Sequence, residues 1–274
     1  MDRIILRLHF VVILTVISIV ILTNYWFNNL LYLCTKESGI FESFTALILL
    51  ITSLWCFLFL IKSRKKLNLS LNHKLFFTCI GIISLLGCFE EISWGQHLFG
   101  FQSNDFFIQH NRQKEINLHN LIPGQLFSAV INTFIYTFFI FYPLIVKLLN
   151  QRTSLYIFHE DKLPFKINME NILMFCFAST LQAYFLLPTV VDTIALLTAF
   201  ILIFIIILQR KMYFDFQLIF HALLVLVSSI IFMIHRHIFS FVNMQYEIRE
   251  FIVTYAFFYF LLSFAKNLKA ESQI

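Results

Sequence analysis

Residues 194–208 read Ile194-Ala195-Leu196-Leu197-Thr198-Ala199-Phe200-Ile201-Leu202-Ile203-Phe204-Ile205-Ile206-Ile207-Leu208. A single polar side chain, Thr198, interrupts the run. A helix of this sequence has no face to turn to water. The apolar block extends over residues 190 to 208, close to the roughly 20 residues that a helix needs to cross a hydrocarbon core of about 30 Å. Comparable blocks occupy approximately residues 8–23, 43–61, 75–93, 125–147, 170–187, 216–235 and 247–265. The pattern predicts an all-α fold: one membrane-embedded domain across residues 1–274, built as a polytopic transmembrane helix bundle of about eight spans.

Composition agrees with this. Of 274 residues, 59% are hydrophobic and 13% charged, whereas a soluble domain carries about 25% charged residues. The net charge of +5 does not point to nucleic acid, because its distribution has a topological explanation. Cytoplasmic loops retain Lys and Arg, and placing the N-terminus inside puts fifteen of the twenty Lys and Arg residues on the inner side. Both termini are therefore expected in the cytoplasm. Arg3 and Arg7 precede the first run as in a signal peptide. No small-residue cleavage site follows, so it is read as an uncleaved helix, with Tyr25 and Trp26 suited to the interface. The five cysteines show no C-x-x-C spacing, and no disulfide framework or cysteine zinc site is expected.

The polar residues are not spread evenly. The stretch Phe89-Glu90-Glu91-Ile92-Ser93-Trp94-Gly95-Gln96-His97 runs off the outer end of the third span, and a dense polar loop from His110 to Asn120 follows. Ionisable groups at membrane depth are costly and usually face a bundle interior or a wet cavity. Two adjacent carboxylates cannot both ionise cheaply there, so Glu90 and Glu91 are candidates for acid–base work. The alternative is that one of them pairs with Arg249 or Arg236 and pins two helix ends. If the third helix continues, Glu90, Trp94 and His97 share one face.

Two further segments reach the same side: His235-Arg236-His237, and Tyr246-Glu247-Ile248-Arg249-Glu250, in which Glu247 and Glu250 are i and i+3 on one helix face. Neutral imidazoles with carboxylates suit zinc or iron, with an open position for water at a catalytic centre. The candidate set is Glu90, Glu91, Glu115, Glu247 and Glu250 as catalytic carboxylates, and His119, His235 and His237 as metal ligands. Gln96, Asn111, Asn117, Asn120, Arg236 and Arg249 are the candidate substrate-binding residues, the arginines as forks for a phosphate headgroup. His119 reads equally as a hydrogen-bonded loop residue, and His235 and His237 as caps of the seventh helix. No short metal motif is present. His221, with Ser228 and Ser229 on its helix, is read as an interhelical packing group.

The string Glu90-Glu91-Ile92-Ser93-Trp94-Gly95-Gln96, followed by Asn111-x-Gln113-x-Glu115-x-Asn117-Leu118-His119-Asn120, resembles a pattern in uncharacterised bacterial multispan membrane proteins. The resemblance covers about 30 residues closely and implies a bacterial cytoplasmic membrane. A looser one links Ser93-Trp94-x-x-His97 to the Ser-x-x-x-His element of the alkaline ceramidase group, seven-span zinc amidases. Those enzymes pair it with a later His-x-x-x-His, whereas this chain has His235-x-His237.

The expectation is a membrane-embedded enzyme with an outer-face His/Glu site, a metal-dependent hydrolase or transferase acting on a lipid or lipid-linked substrate. Two other classes fit the composition: a transporter or proton-coupled permease gated by the same residues, and a scaffold subunit whose polar cap binds a partner. Membrane lipids are the expected partners. The sequence assigns no oligomeric state.

Overall fold

The computed structural model describes residues 8–18, 39–64, 67, 69–111, 114–152, 167–183, 190–209, 216–234 and 244–271. Each predicted apolar block contains a helix, and no strand occurs among these residues. In chain order the helices are α1 (Leu8–Ser18), α2 (Ile40–Ser63), α3 (Leu71–Glu91), α4 (Gln96–Phe99) and α5 (Asp105–His110). Then come α6 (Gly124–Phe134), a π-helical segment (Ile135–Phe141), α7 (Tyr142–Arg152), α8 (Met169–Ala183), α9 (Val190–Gln209), α10 (Phe216–Ile234) and α11 (Met244–Glu271).

Among the described residues, four helical stretches are long and apolar enough to cross a membrane: Ile40–Ser63, Leu71–Glu91, Ala129–Leu149 and Glu247–Lys269. Shorter apolar helical stretches lie at Leu8–Ser18, Ile194–Leu208 and Leu218–Ile230. The first two long helices show why such a sequence belongs in lipid. On α2, Leu47, Ile51, Leu54, Leu58 and Ile61 form one exposed stripe at alternating spacings of four and three. The opposite face buries Thr45, Thr52, Ser53, Cys56 and Ser63. The apolar stripe faces outward and the small or polar residues face the neighbouring helix, which is how helices associate where the solvent is itself apolar. Thr45 and Thr52 hold their hydroxyls on the carbonyls of Phe41 and Ile48, at 2.9 and 2.7 Å, so they approach a neighbour without leaving a donor unsatisfied.

Helix α3 returns against α2. It begins at Ser70, whose hydroxyl accepts from the His73 amide as an N-cap. Its buried residues, Phe77, Gly81, Ser84 and Cys88, lie on one face. Gly81 leaves room for a neighbouring side chain, since a Cβ there would lie 3.0 Å from the Phe57 ring.

The centre of the bundle is α8. Every residue from Met169 to Thr180 is buried, with Glu170, Asn171, Ser179 and Thr180 enclosed among apolar side chains. It packs against α10, α11 and the π segment, and α11 also packs against α2. Hence α11 joins the α2–α3 pair to the core through α2, and Glu247 and Glu250 near its start act electrostatically on Glu91 at the end of α3. That junction positions the site.

Candidate functional site

Helix α3 stops at Glu91 for a local reason. Ser93, Trp94 and Gly95 have φ of 45°, 54° and 88°, three consecutive residues in the left-handed region that disfavours L side chains. The condition under which Glu90, Trp94 and His97 would share a face is not met: the chain turns sharply, and α4 starts anew at Gln96. Trp94 still reaches back, donating from Nε1 to Glu90 Oε1 at 2.7 Å and stacking on Phe89. Gly95→Ala would place a Cβ 3.0 Å from the Phe99 ring at a positive φ. It is expected to cost about 1–2 kcal/mol of strain, readable as a lower thermal unfolding midpoint in detergent.

The strained turn is held by side chains from the following loop. Ser93, fully buried, donates to Glu115 Oε2 at 2.6 Å. Asn117 Nδ2 donates to both Ser93 Oγ and Glu115 Oε2, at 3.3 and 3.1 Å. Asn111 Nδ2 donates to the carbonyl and the side-chain oxygen of Asn117, both at 2.8 Å. Gln96 accepts from the Ile116 amide at 2.9 Å and meets Ser103 at 3.0 Å. Glu90 closes the loop from the other end: its Oε2 accepts from the amides of Leu118 and His119 at 2.6 and 3.2 Å and lies 3.4 Å from His119 Nδ1.

These partners sort the expected residues. Glu90, Gln96, Asn111, Glu115 and Asn117 hold one another or the loop backbone, and Asn120 is buried beside them in sequence. His119 sits on Glu90. Glu91 has different company. One residue further on, it points about 100° around the helix from Glu90, and Glu250, Glu247, Glu42 and Glu90 all act electrostatically on it. Three helix ends thus bring carboxylates together: α3 with Glu91, α2 with Glu42 in its first turn, and α11 with Glu247 and Glu250. Glu91 is half-buried among them.

Arg249, expected as a headgroup fork, is buried and donates from Nη2 to Asn132 Oδ1. Asn132→Leu is expected to destabilise the protein by about 2 kcal/mol, because it removes an acceptor from a buried guanidinium. Denaturant unfolding of the variant checks this. Arg236, His235 and His237 lie outside the described residues. Among the described residues no group of three or more His, Cys, Asp and Glu side chains has the geometry to hold a metal.

Sequence reasoning quoted Ser93 in two resemblances without giving it a site role, and it missed Glu42. Glu42 falls in the first turn of a span, where a helix N-terminus accounts for a carboxylate, and its position at the same end of the bundle was the available signal. A second missed group lies inside the bundle. His9 on α1 meets the Tyr255 hydroxyl at 3.2 Å and stacks on His221, with ring centroids 5.7 Å apart, and all three side chains are buried.

Fold and site together are those of a helical membrane protein, with a hydrogen-bonded cap on one end of its long spans and a carboxylate cluster beneath it. Compared with protein-family models, curated proteins and solved structures, the chain matches none.

Proposed function

We propose that the chain is a membrane-embedded enzyme whose carboxylate cluster, centred on Glu91, performs general acid–base chemistry on a lipid or lipid-linked substrate. The observation that carries this is the division of labour between neighbours: Glu90 is spent on two loop amides, while Glu91 stands among Glu42, Glu247 and Glu250. Carboxyl groups that repel one another at a half-buried site do not all bear full charge cheaply. One can then donate a proton to a leaving group while another receives one from the attacking hydroxyl or water. The chemistry is thereby assigned to the carboxylates, with hydrolysis or group transfer as the reaction class. His119, adjoining Glu90, lines the approach.

The orientation that goes with this function follows the positive charges. Eight spans, with both termini in the cytoplasm of a bacterial cell, would open the site to the outer leaflet. The test is to place the purified chain in vesicles of bacterial phospholipid doped with a polyprenyl-linked sugar and to follow headgroup release or transfer by mass spectrometry. A product formed by the native chain and lost in Glu91→Gln is expected. No product from the native chain in either lipid class overturns the proposal.

The His9–His221–Tyr255 group favours a second reading, a proton-coupled permease. Titratable rings buried in the spans at a distance in sequence from the carboxylates are what a proton path uses. Uptake driven by a pH gradient and abolished by His221→Gln would favour the permease over the enzyme.

A further inference from the structure

The loop from Trp94 to Ile122 sets an exposed apolar face over a buried polar core. Asn111, Glu115, Asn117 and Asn120 are buried with Ser93, and Ser93, Asn111, Glu115 and Asn117 bond one another, while Gln102, Asn104, Asp105, Gln109, His110 and Lys114 are exposed. Large apolar side chains are exposed as well. Phe99 is 80% exposed, Leu118 56% and Phe106 54%, and Trp94, Phe101 and Ile108 are exposed with them. A loop folded against water alone seldom exposes so many large apolar side chains over a buried polar core, and an exposed apolar patch of this size marks a contact surface.

The backbone follows the same rule. Amides of the loop find side-chain acceptors: those of Leu118 and His119 on Glu90 at the end of α3, and that of Ile116 on Gln96. Internal satisfaction of this kind is what a non-helical segment needs where water is scarce. The height fits too. The loop begins at Ile92, where α3 ends after 21 residues, a length that spans about 30 Å of hydrocarbon. Tryptophan and phenylalanine are the residues that sit well at that boundary.

We infer that the described part of the segment from Trp94 to Ile122 sits at the headgroup boundary of the leaflet at which α3 ends, its exposed aromatic and aliphatic side chains inserted between phospholipid headgroups and upper acyl chains and its exposed polar ones left among the headgroups. The partner is the bilayer itself. The Glu91 carboxylates then lie beneath a cap seated at that boundary, and an amphiphile reaches them sideways from the leaflet. The placement of the loop is independent of whether Glu91 turns anything over.

Tryptophan quenching tests it on the full chain in vesicles. The emission lost on Trp94→Phe, taken as the difference from the native chain, reports Trp94. Phe99→Trp adds a second reporter at the most exposed apolar position and serves if the Trp94 variant does not fold. Lipids brominated near the top of the acyl chain should remove most of the emission at both positions, while acrylamide in the water removes little. Strong quenching by acrylamide with weak quenching by bromolipid would mean a wet loop and overturn the inference. Protection from both would mean that protein covers the patch, whether a partner or a second copy, and would overturn it equally.

Discussion

Glu115→Ala is expected to unfasten the cap and destabilise the protein by about 3 kcal/mol. Glu115 is buried and accepts from the Ser93 hydroxyl at 2.6 Å and the Asn117 amide at 3.1 Å. Hydrogen bonds to a charged acceptor contribute about 1.5–3 kcal/mol each, and deleting the acceptor leaves the buried Ser93 hydroxyl without its acceptor and the Asn117 side-chain amide with only Ser93 Oγ at 3.3 Å. The strain at Ser93 and Trp94 makes the loss larger than the bonds alone, because those residues keep left-handed backbone only while the surroundings hold them there. Unfolding in graded denaturant checks the value. Asp105→Ala, at an exposed helix start, is the control and should shift the midpoint little. Equal effects in the two variants would show that the Ser93–Glu115–Asn117 bonds do not hold the loop.

Glu91→Gln is expected to behave in the opposite way, losing activity without losing the fold. General acid–base groups contribute about 10²–10⁴-fold to rate, and turnover in the vesicle assay should fall by that factor. Replacing one carboxyl among four others with a neutral amide removes like-charge crowding, so the unfolding midpoint should hold or rise. Glu90→Gln separates the neighbours further: it weakens the acceptor of the Leu118 and His119 amides and should lower stability more than Glu91→Gln does. A Glu91→Gln chain that keeps full turnover would remove Glu91 from the chemistry. One that unfolds would make it a structural pin between α3 and α11.

The Glu90 and Glu91 pair shows where sequence reading stops. Their cost at the end of an apolar span marks them both, and nothing in the adjacent residues tells one from the other. The distinction arises from partners 28 and 29 residues away for Glu90 and from α2 and α11 for Glu91. The same holds for Asn111, Glu115 and Asn117, whose residue types suit substrate binding as well as they suit the internal network in which they are found. His221 was legible as a buried polar group, whereas its neighbour His9 comes from a helix more than 200 residues earlier in the chain. The break after Glu91 left only a faint trace, the glycine at 95, because Ser93 and Trp94 are residues that seldom adopt left-handed backbone.

By itself the sequence determined the helical blocks, their apolar character and the crowding of polar residues at one end of the chain's long spans. Those properties are local sums, since hydropathy over about 20 residues decides whether a segment can leave water. Only the tertiary structure decided which polar residues fasten the cap, which carboxylates meet at Glu91, and which way the loop turns its aromatic side chains. Each of these depends on contacts between segments far apart in sequence, fixed by how α2, α3 and α11 pack, and no single segment contains that information.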